Sequence, residues 1–279
     1  MKTKHRFLKW LAMLLLVIAS SLGAMAQQTA CPGTKHYSVT PSAANMLNWS
    51  VSPGISGVDW TISDPSLSGT DILWANVGSA TVYTVTFKET NLVTSCYTER
   101  TITVTVNPLP VVAAIGGGAA NVCVGAVTPA FTDATAGGVW TIVPGTGTAN
   151  ITAGGVVTGV TAGTVNVTYT VTNGSGCVTS VSKSLTVNPL PVVAAIGGGA
   201  TNVCVGSVTP AFTDATAGGV WTIVPGTGTA NITAGGVVTG VTAGTVDVTY
   251  TVTNGSGCVT SVSKSLIVNV LPNPSEISY

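Results

Sequence analysis

Over residues 165–172 apolar and polar positions alternate strictly. Val165, Val167, Tyr169 and Val171 are apolar, and Asn166, Thr168, Thr170 and Thr172 lie between them. Successive side chains of a strand point to opposite faces, so a period of two predicts a half-buried antiparallel strand, apolar side inward and threonine outward. Asn173-Gly174-Ser175-Gly176 predicts a hairpin turn, and Val178–Val187 predicts the returning strand. Lys183 falls in phase with Val181, Leu185 and Val187. One charge in that row suits an edge strand guarded against sheet addition, or a bulge that turns the lysine outward. Runs at 111–115, 121–124, 138–143 and 155–159 predict further strands, punctuated by Gly and Pro. Six or seven short strands with regular turns predict a two-sheet β-sandwich, with Trp140 and Trp221 as core tryptophans on a central strand. No helical period follows residue 26.

The pattern recurs. Residues 108–188 and 189–269 are the same 81-residue sentence, differing only at Ala120/Thr201, Ala126/Ser207, Asn166/Asp247 and Thr186/Ile267. A fixed period marks an array, and a unit of this size can hold its own core. Residues 27–107 read as a third, diverged module of equal length, ending on Val106-Asn107 as the repeats end on Val187-Asn188 and Val268-Asn269. Cys96, Cys177 and Cys258 are spaced 81 apart. Trp49 lies 18 residues after Cys31, and Trp140 and Trp221 lie 17 after Cys123 and Cys204. That ruler aligns Trp49 with the repeat tryptophans, against a rival alignment through the Trp-Thr-Ile at Trp60. It leaves about ten extra residues before Cys96, enough for another strand or a long hairpin. Asn107-Pro108-Leu109-Pro110 and Asn188-Pro189-Leu190-Pro191 read as short, semi-rigid polyproline linkers. The predicted shape is a rod of three beads.

Composition narrows the function classes. The chain is 45% hydrophobic and 6% charged, which disfavours disorder and supplies no basic stripe for nucleic acid. Lys2, Lys4, Arg6 and Lys9, the apolar run Leu11–Ala19 and Ala24-Met25-Ala26 predict a secretory signal peptide over 1–26. Without it five basic and nine acidic residues remain, and no other apolar run is long enough to span a membrane.

Asn121-Val122-Cys123-Val124-Gly125, the run from Thr132 to Trp140, and Gly155–Thr164 resemble the bacterial immunoglobulin-like repeats of secreted Bacteroidota proteins. The last stretch is similar to their group 2 (BIG2) core. With Trp49, Leu73-Trp74 and Glu89-Thr90-Asn91, the first module resembles the PKD-like domains found beside such repeats. The resemblance implies an all-β fold of tandem Ig-like β-sandwich modules in an extended array, extracellular and structural or adhesive, without catalytic residues. Leu271-Pro272-Asn273-Pro274-Ser275, in the tail 270–279, resembles the opening of a type IX secretion sorting domain; it is either that or a coincidence.

The remaining chemistry is sparse. Gly116-Gly117-Gly118 and Gly145-Thr146-Gly147 read as turns, since no helix follows to meet a phosphate. The repeats contain no His, Glu or Arg, and the carboxylates of 27–107 are scattered, so no catalytic residue, metal ligand or cofactor site is expected. Asp64 and Asp71 are a thin candidate for a loop cation. Trp60 and Trp74 are candidate ligand-facing aromatics, with core packing the competing role. Six cysteines allow 15 connectivities, and export favours disulfides. Pairing across the linkers, Cys96–Cys123 and Cys177–Cys204, would strand Cys31 and Cys258. Pairing within modules leaves no orphan, so Cys31–Cys96, Cys123–Cys177 and Cys204–Cys258 are expected. The expected function is a non-enzymatic secreted or surface stalk of adhesin type. The alternatives are a module at 27–107 binding an extracellular protein or glycan, or an accessory region of a larger secreted enzyme.

Overall fold

The computed structural model describes residues 27–42 and 45–272. The signal peptide expected at 1–26 and the tail beyond residue 272 lie outside them. Residues 27–107 form β1 (Gln27–Ala30), β2 (Gly33–Ser38), β3 (Asn45–Ser52), β4 (Trp60–Ile62), β5 (Gly69–Trp74), β6 (Thr81–Asn91) and β7 (Tyr97–Val106). One sheet runs β1-β7-β6-β3 and the other β2-β5-β4. Alternation decides which residues enter the core: Tyr83, Val85 and Phe87 of β6, and Val104 and Val106 of β7, are buried with Ile72 and Trp74 of β5. β1 pairs with β7 in parallel, setting Ala30 opposite Val106.

Residues 108–188 form β8 (Gly116–Gly117), β9 (Asn121–Cys123), β10 (Phe131–Thr132), β11 (Val139–Pro144), β12 (Thr148–Ile151), β13 (Val157–Thr161), β14 (Gly163–Thr172) and β15 (Val178–Asn188). The main sheet runs β11-β14-β15-β9, with two-stranded ribbons β10-β8 and β12-β13. β9 again lies parallel to the last strand, Cys123 opposite Asn188. The next repeat displaces every element by 81 residues: β16 (Gly197–Gly198), β17 (Asn202–Cys204), β18 (Phe212–Thr213), β19 (Val220–Pro225), β20 (Thr229–Ile232), β21 (Val238–Thr242), β22 (Gly244–Thr253) and β23 (Val259–Asn269). Three hydrophobic cores result, lying within 30–106, 115–187 and 196–268. The chain is all-β, built of tandem Ig-like sandwich modules.

By contact the chain divides into two compact units. One holds the residues up to Ala113 with Thr135–Gly138 and Thr170–Ser180; the other holds Ala114–Ala134, Val139–Tyr169 and the residues from Val181. The division falls inside the second module, not at the linker, because the tip of the β14–β15 hairpin goes with the first module.

The register settles the alignment of the first module. Trp49 lies opposite Phe87 as Trp221 lies opposite Tyr250, while Trp60 pairs with Trp74 in the other sheet. Trp49, not Trp60, is the counterpart of the repeat tryptophans. The extra residues before Cys96 add neither a strand nor a long hairpin; they lengthen the connections 53–59 and 75–80 and the hairpin tip.

Two strand expectations are corrected and one is refined. Residues 111–115 form no strand, because the Ala113 N–H donates to the Thr135 hydroxyl instead of to a ladder. Trp140 and Trp221 sit on edge strands and are only partly buried; each leans on a tyrosine, Tyr169 or Tyr250, with ring centroids 4.5 and 4.6 Å apart. β9 pairs only with Thr186–Asn188 of β15, so Lys183 lies on the stretch of that edge left uncovered among the described pairings, as an edge position was expected to, but its side chain turns inward. Its amine donates to the Gly117 carbonyl at 3.0 Å and lies 5.6 Å from the centre of the Phe131 ring, which lets a charge stay on the inner row. The Gly run is a close approach, as a turn reading implies: Gly118 has φ +64°, and a Cβ there would collide with the Phe131 ring.

Candidate functional site

The cysteines are where structure departs most from expectation. Disulfides join Cys31 to Cys177 and Cys123 to Cys258, with Cα atoms 5.4 and 5.6 Å apart, and Cys96 and Cys204 are free thiols. The pairs expected within modules do not form. The parallel first strand explains this: Cys31 follows Ala30, beside the end of β7, whereas Cys96 precedes the start of β7. Ten extended residues separate the two positions, roughly 30 Å at ~3.3 Å per residue. Cys123 and Cys177 lie at opposite ends of β15, and Cys204 and Cys258 at opposite ends of β23, in the same way.

The bonds instead follow one rule. The first-strand cysteine of a module bonds the hairpin cysteine of the module after it. Each hairpin also grips the preceding linker. Asn173 donates its side-chain amide to the Pro108 carbonyl at 2.9 Å, and Asn254 donates to the Pro189 carbonyl at 2.9 Å. Asn173 Oδ1 accepts the N–H groups of Ser175 and Cys177, which fixes the turn that presents the sulfur. Two-module joints are thus closed covalently and by hydrogen bond, and Cys177 and Cys258 are 0% and 1% exposed.

A cleft of about 270 Å³ opens in the first module, lined among others by His36, Tyr37, Trp49, Phe87, Arg100 and Ile102. Trp49 is held by its indole N–H, which donates to the Leu67 carbonyl at 2.8 Å, and by Phe87, its ring 4.9 Å away. His36 sits directly across the strand pair from Asp71, and their side chains meet at 2.8 Å. Burial pushes the Tyr37 hydroxyl above its ordinary value of 10.0. Cation, aromatic faces and hydroxyl in one cleft suit recognition of an extended or polar ligand.

The other candidates are distributed elsewhere. Trp74 is 1% exposed and belongs to the core between the sheets, while Trp60 is partly buried and packs against the same core. Asp64 accepts from the Ser66 N–H and hydroxyl, which hold its carboxyl below the usual range, while Asp71 is engaged by His36. Among the described residues no three His, Cys, Asp or Glu side chains gather as metal ligands, and no helix is long and apolar enough to cross a membrane. The cleft and the staggered bonds were missed in the sequence because both depend on β1 and β2 being placed beside strands far along the chain.

No protein-family model and no curated protein matches the chain. Among solved structures it is similar to invasin, a bacterial integrin-binding protein, at 16% identity over 82% of this chain and 53% of that one, with a TM-score of 0.34. It is similar to Drosophila N-cadherin EC1-4 at 11% identity over 88% and 73%, TM-score 0.26. PcdhgB3 EC1-4 matches at 10% identity over 89% and 75%, TM-score 0.23.

Proposed function

We propose that the chain is a non-enzymatic stalk of a secreted or surface-exposed protein, whose modules are stapled to one another to resist extension. The observation that carries this is the staggered pair of disulfides. Cys31–Cys177 and Cys123–Cys258 enclose overlapping stretches of chain. Even with every module unfolded, the shortest covalent route from Cys31 to Cys258 runs back through Cys177 to Cys123. That route is 54 residues instead of the 227 of the open chain, or roughly 190 Å against roughly 800 Å at ~3.5 Å per residue. Near-identical neighbours poor in ionisable groups add length, not a specialised site. Disulfides also suit an oxidising, extracellular setting. Pulling single molecules between residues 27 and 272 tests the reading. The oxidised chain should stop short by about 600 Å relative to the reduced chain; equal lengths would refute it.

A second reading rests on the cleft of the first module: an extracellular protein or glycan bound by Trp49, His36 and Arg100. Glycan-array binding that survives deletion of 108–188 but is lost in Arg100→Ala would support it. Binding lost with the repeat and kept in the point variant would refute it.

A further inference from the structure

The two free thiols are the unused halves of one joint. Cys204 opposes Asn269 across β17 and β23, as Cys123 opposes Asn188 across β9 and β15. It is therefore a first-strand cysteine, the kind that receives a hairpin from the module after it. Cys96 is a hairpin cysteine. The Asn91 N–H donates to the Cys96 carbonyl at 2.8 Å, as Asn173 and Asn254 donate to Cys177 and Cys258 at 3.0 Å. Asn91 Oδ1 accepts two backbone N–H groups of its turn, as Asn173 Oδ1 does. Ser95 precedes Cys96 with φ 57°, where Gly176 and Gly257 precede the bonded cysteines with φ 80° and 79°.

A second observation lies in the surfaces beside the two thiols. The docked hairpins carry Gly-Ser-Gly at their tips, but the hairpin of Cys96 carries Leu92 and Val93, which are 68% and 92% exposed. Beside Cys204, Val270 and Leu271 follow Asn269 where Pro189 and Leu190 follow Asn188, and they are 71% and 60% exposed. Exposed apolar side chains thus flank both thiols, and burying them against one another would favour contact. Cys96 is exposed where its docked counterparts are sealed, and it lines an open cleft of about 320 Å³ with Asn45, Glu89, Asn91 and Tyr97.

We propose that copies of this chain join head to tail, Cys204 of one copy bonding Cys96 of the next, with Leu92 and Val93 seated against Val270 and Leu271. The occupant of each surface is a second copy, because that copy carries the complementary half of a joint that the described residues build twice. Bond formation removes two protons and two electrons from the thiols. A small-molecule disulfide such as oxidised glutathione accepts them and becomes two thiols, passing through a mixed disulfide.

The test is oxidation of the chain in a glutathione buffer, followed by non-reducing electrophoresis and peptide mapping. We expect a ladder at multiples of the chain mass, linked through Cys96–Cys204 peptides. Cys96→Ser and Cys204→Ser should each stay monomeric, and their mixture should yield a dimer and nothing larger. Leu92→Asp with Val93→Asp should slow the ladder at least tenfold while leaving Cys96 equally reactive with a small thiol reagent. The proposal is overturned by symmetric dimers of either single variant, by a Cys96–Cys204 link within one monomer, or by two thiols that remain free in the oxidant.

Discussion

Single residues of the first module show how it departs from the repeats. Ser95 adopts the left-handed backbone that the repeats give to Gly176 and Gly257. A Cβ in that region is strained, so Ser95→Gly should stabilise residues 27–107 by about 1 kcal/mol, read as a shift of the urea midpoint. Burial raises the hydroxyls of Tyr37 and Tyr83 above 10.0, and for Tyr83 Asp59 adds to the effect. Their folded values exceed their unfolded ones, so their contribution is whole below pH ~10 and is lost as pH climbs through the folded values. Urea titrations at rising pH should therefore show the first module weakening above pH ~10. Tyr37→Phe should flatten that slope; a slope unchanged in the variant would assign the effect elsewhere.

At the scale of elements, the parallel first strand matters most. It brings the start of each module to the end of its last strand, and so carries a cysteine to the joint. The prediction that belongs here concerns the link between the first two modules. Cys177→Ser should leave the cores intact, since none of the three clusters includes that sulfur. The linker 107–110 should become the first site cut in limited proteolysis. Cys96→Ser should change neither stability nor cleavage, because Cys96 has no disulfide in the chain. Equal protection of the linker in both variants would mean that the hydrogen bond from Asn173 holds the joint unaided.

For the whole molecule, the near-identity of the repeats makes a sharp test of the bonding rule. Deleting 108–188 joins Asn107 to Pro189 and sets Cys258 where Cys177 stood. Asn254 and Pro189 would then meet the first module as Asn173 and Pro108 do now. We expect the shortened chain to form Cys31–Cys258, seen by non-reducing peptide mapping, with Cys204 still free. A reduced Cys31 in the deletion would mean that the joint depends on residues peculiar to the second module.

The sequence by itself determined the alternating strands of the hairpin, the repeat and the alignment of the first module through Trp49. Period-two alternation over 165–172, an 81-residue period and the Trp49 ruler are local facts, and each has a single reading in the structure. Tertiary structure alone decided what those strands lie beside. Nothing in the runs 27–30 or 121–123 says that they pair in parallel with β7 and β15, so the cysteines were assigned by proximity along the chain. That Lys183 turns inward is not written in its strand's own pattern; its carbonyl partner lies 66 residues away on β8 and its ring partner, Phe131, on β10. The cleft of Trp49, His36 and Arg100 is invisible for the same reason, since three strands supply these side chains. Periodicity reports which face of a strand is apolar. Pairing between distant segments is set by whole-core packing, and that is what placed the sulfurs at the joints.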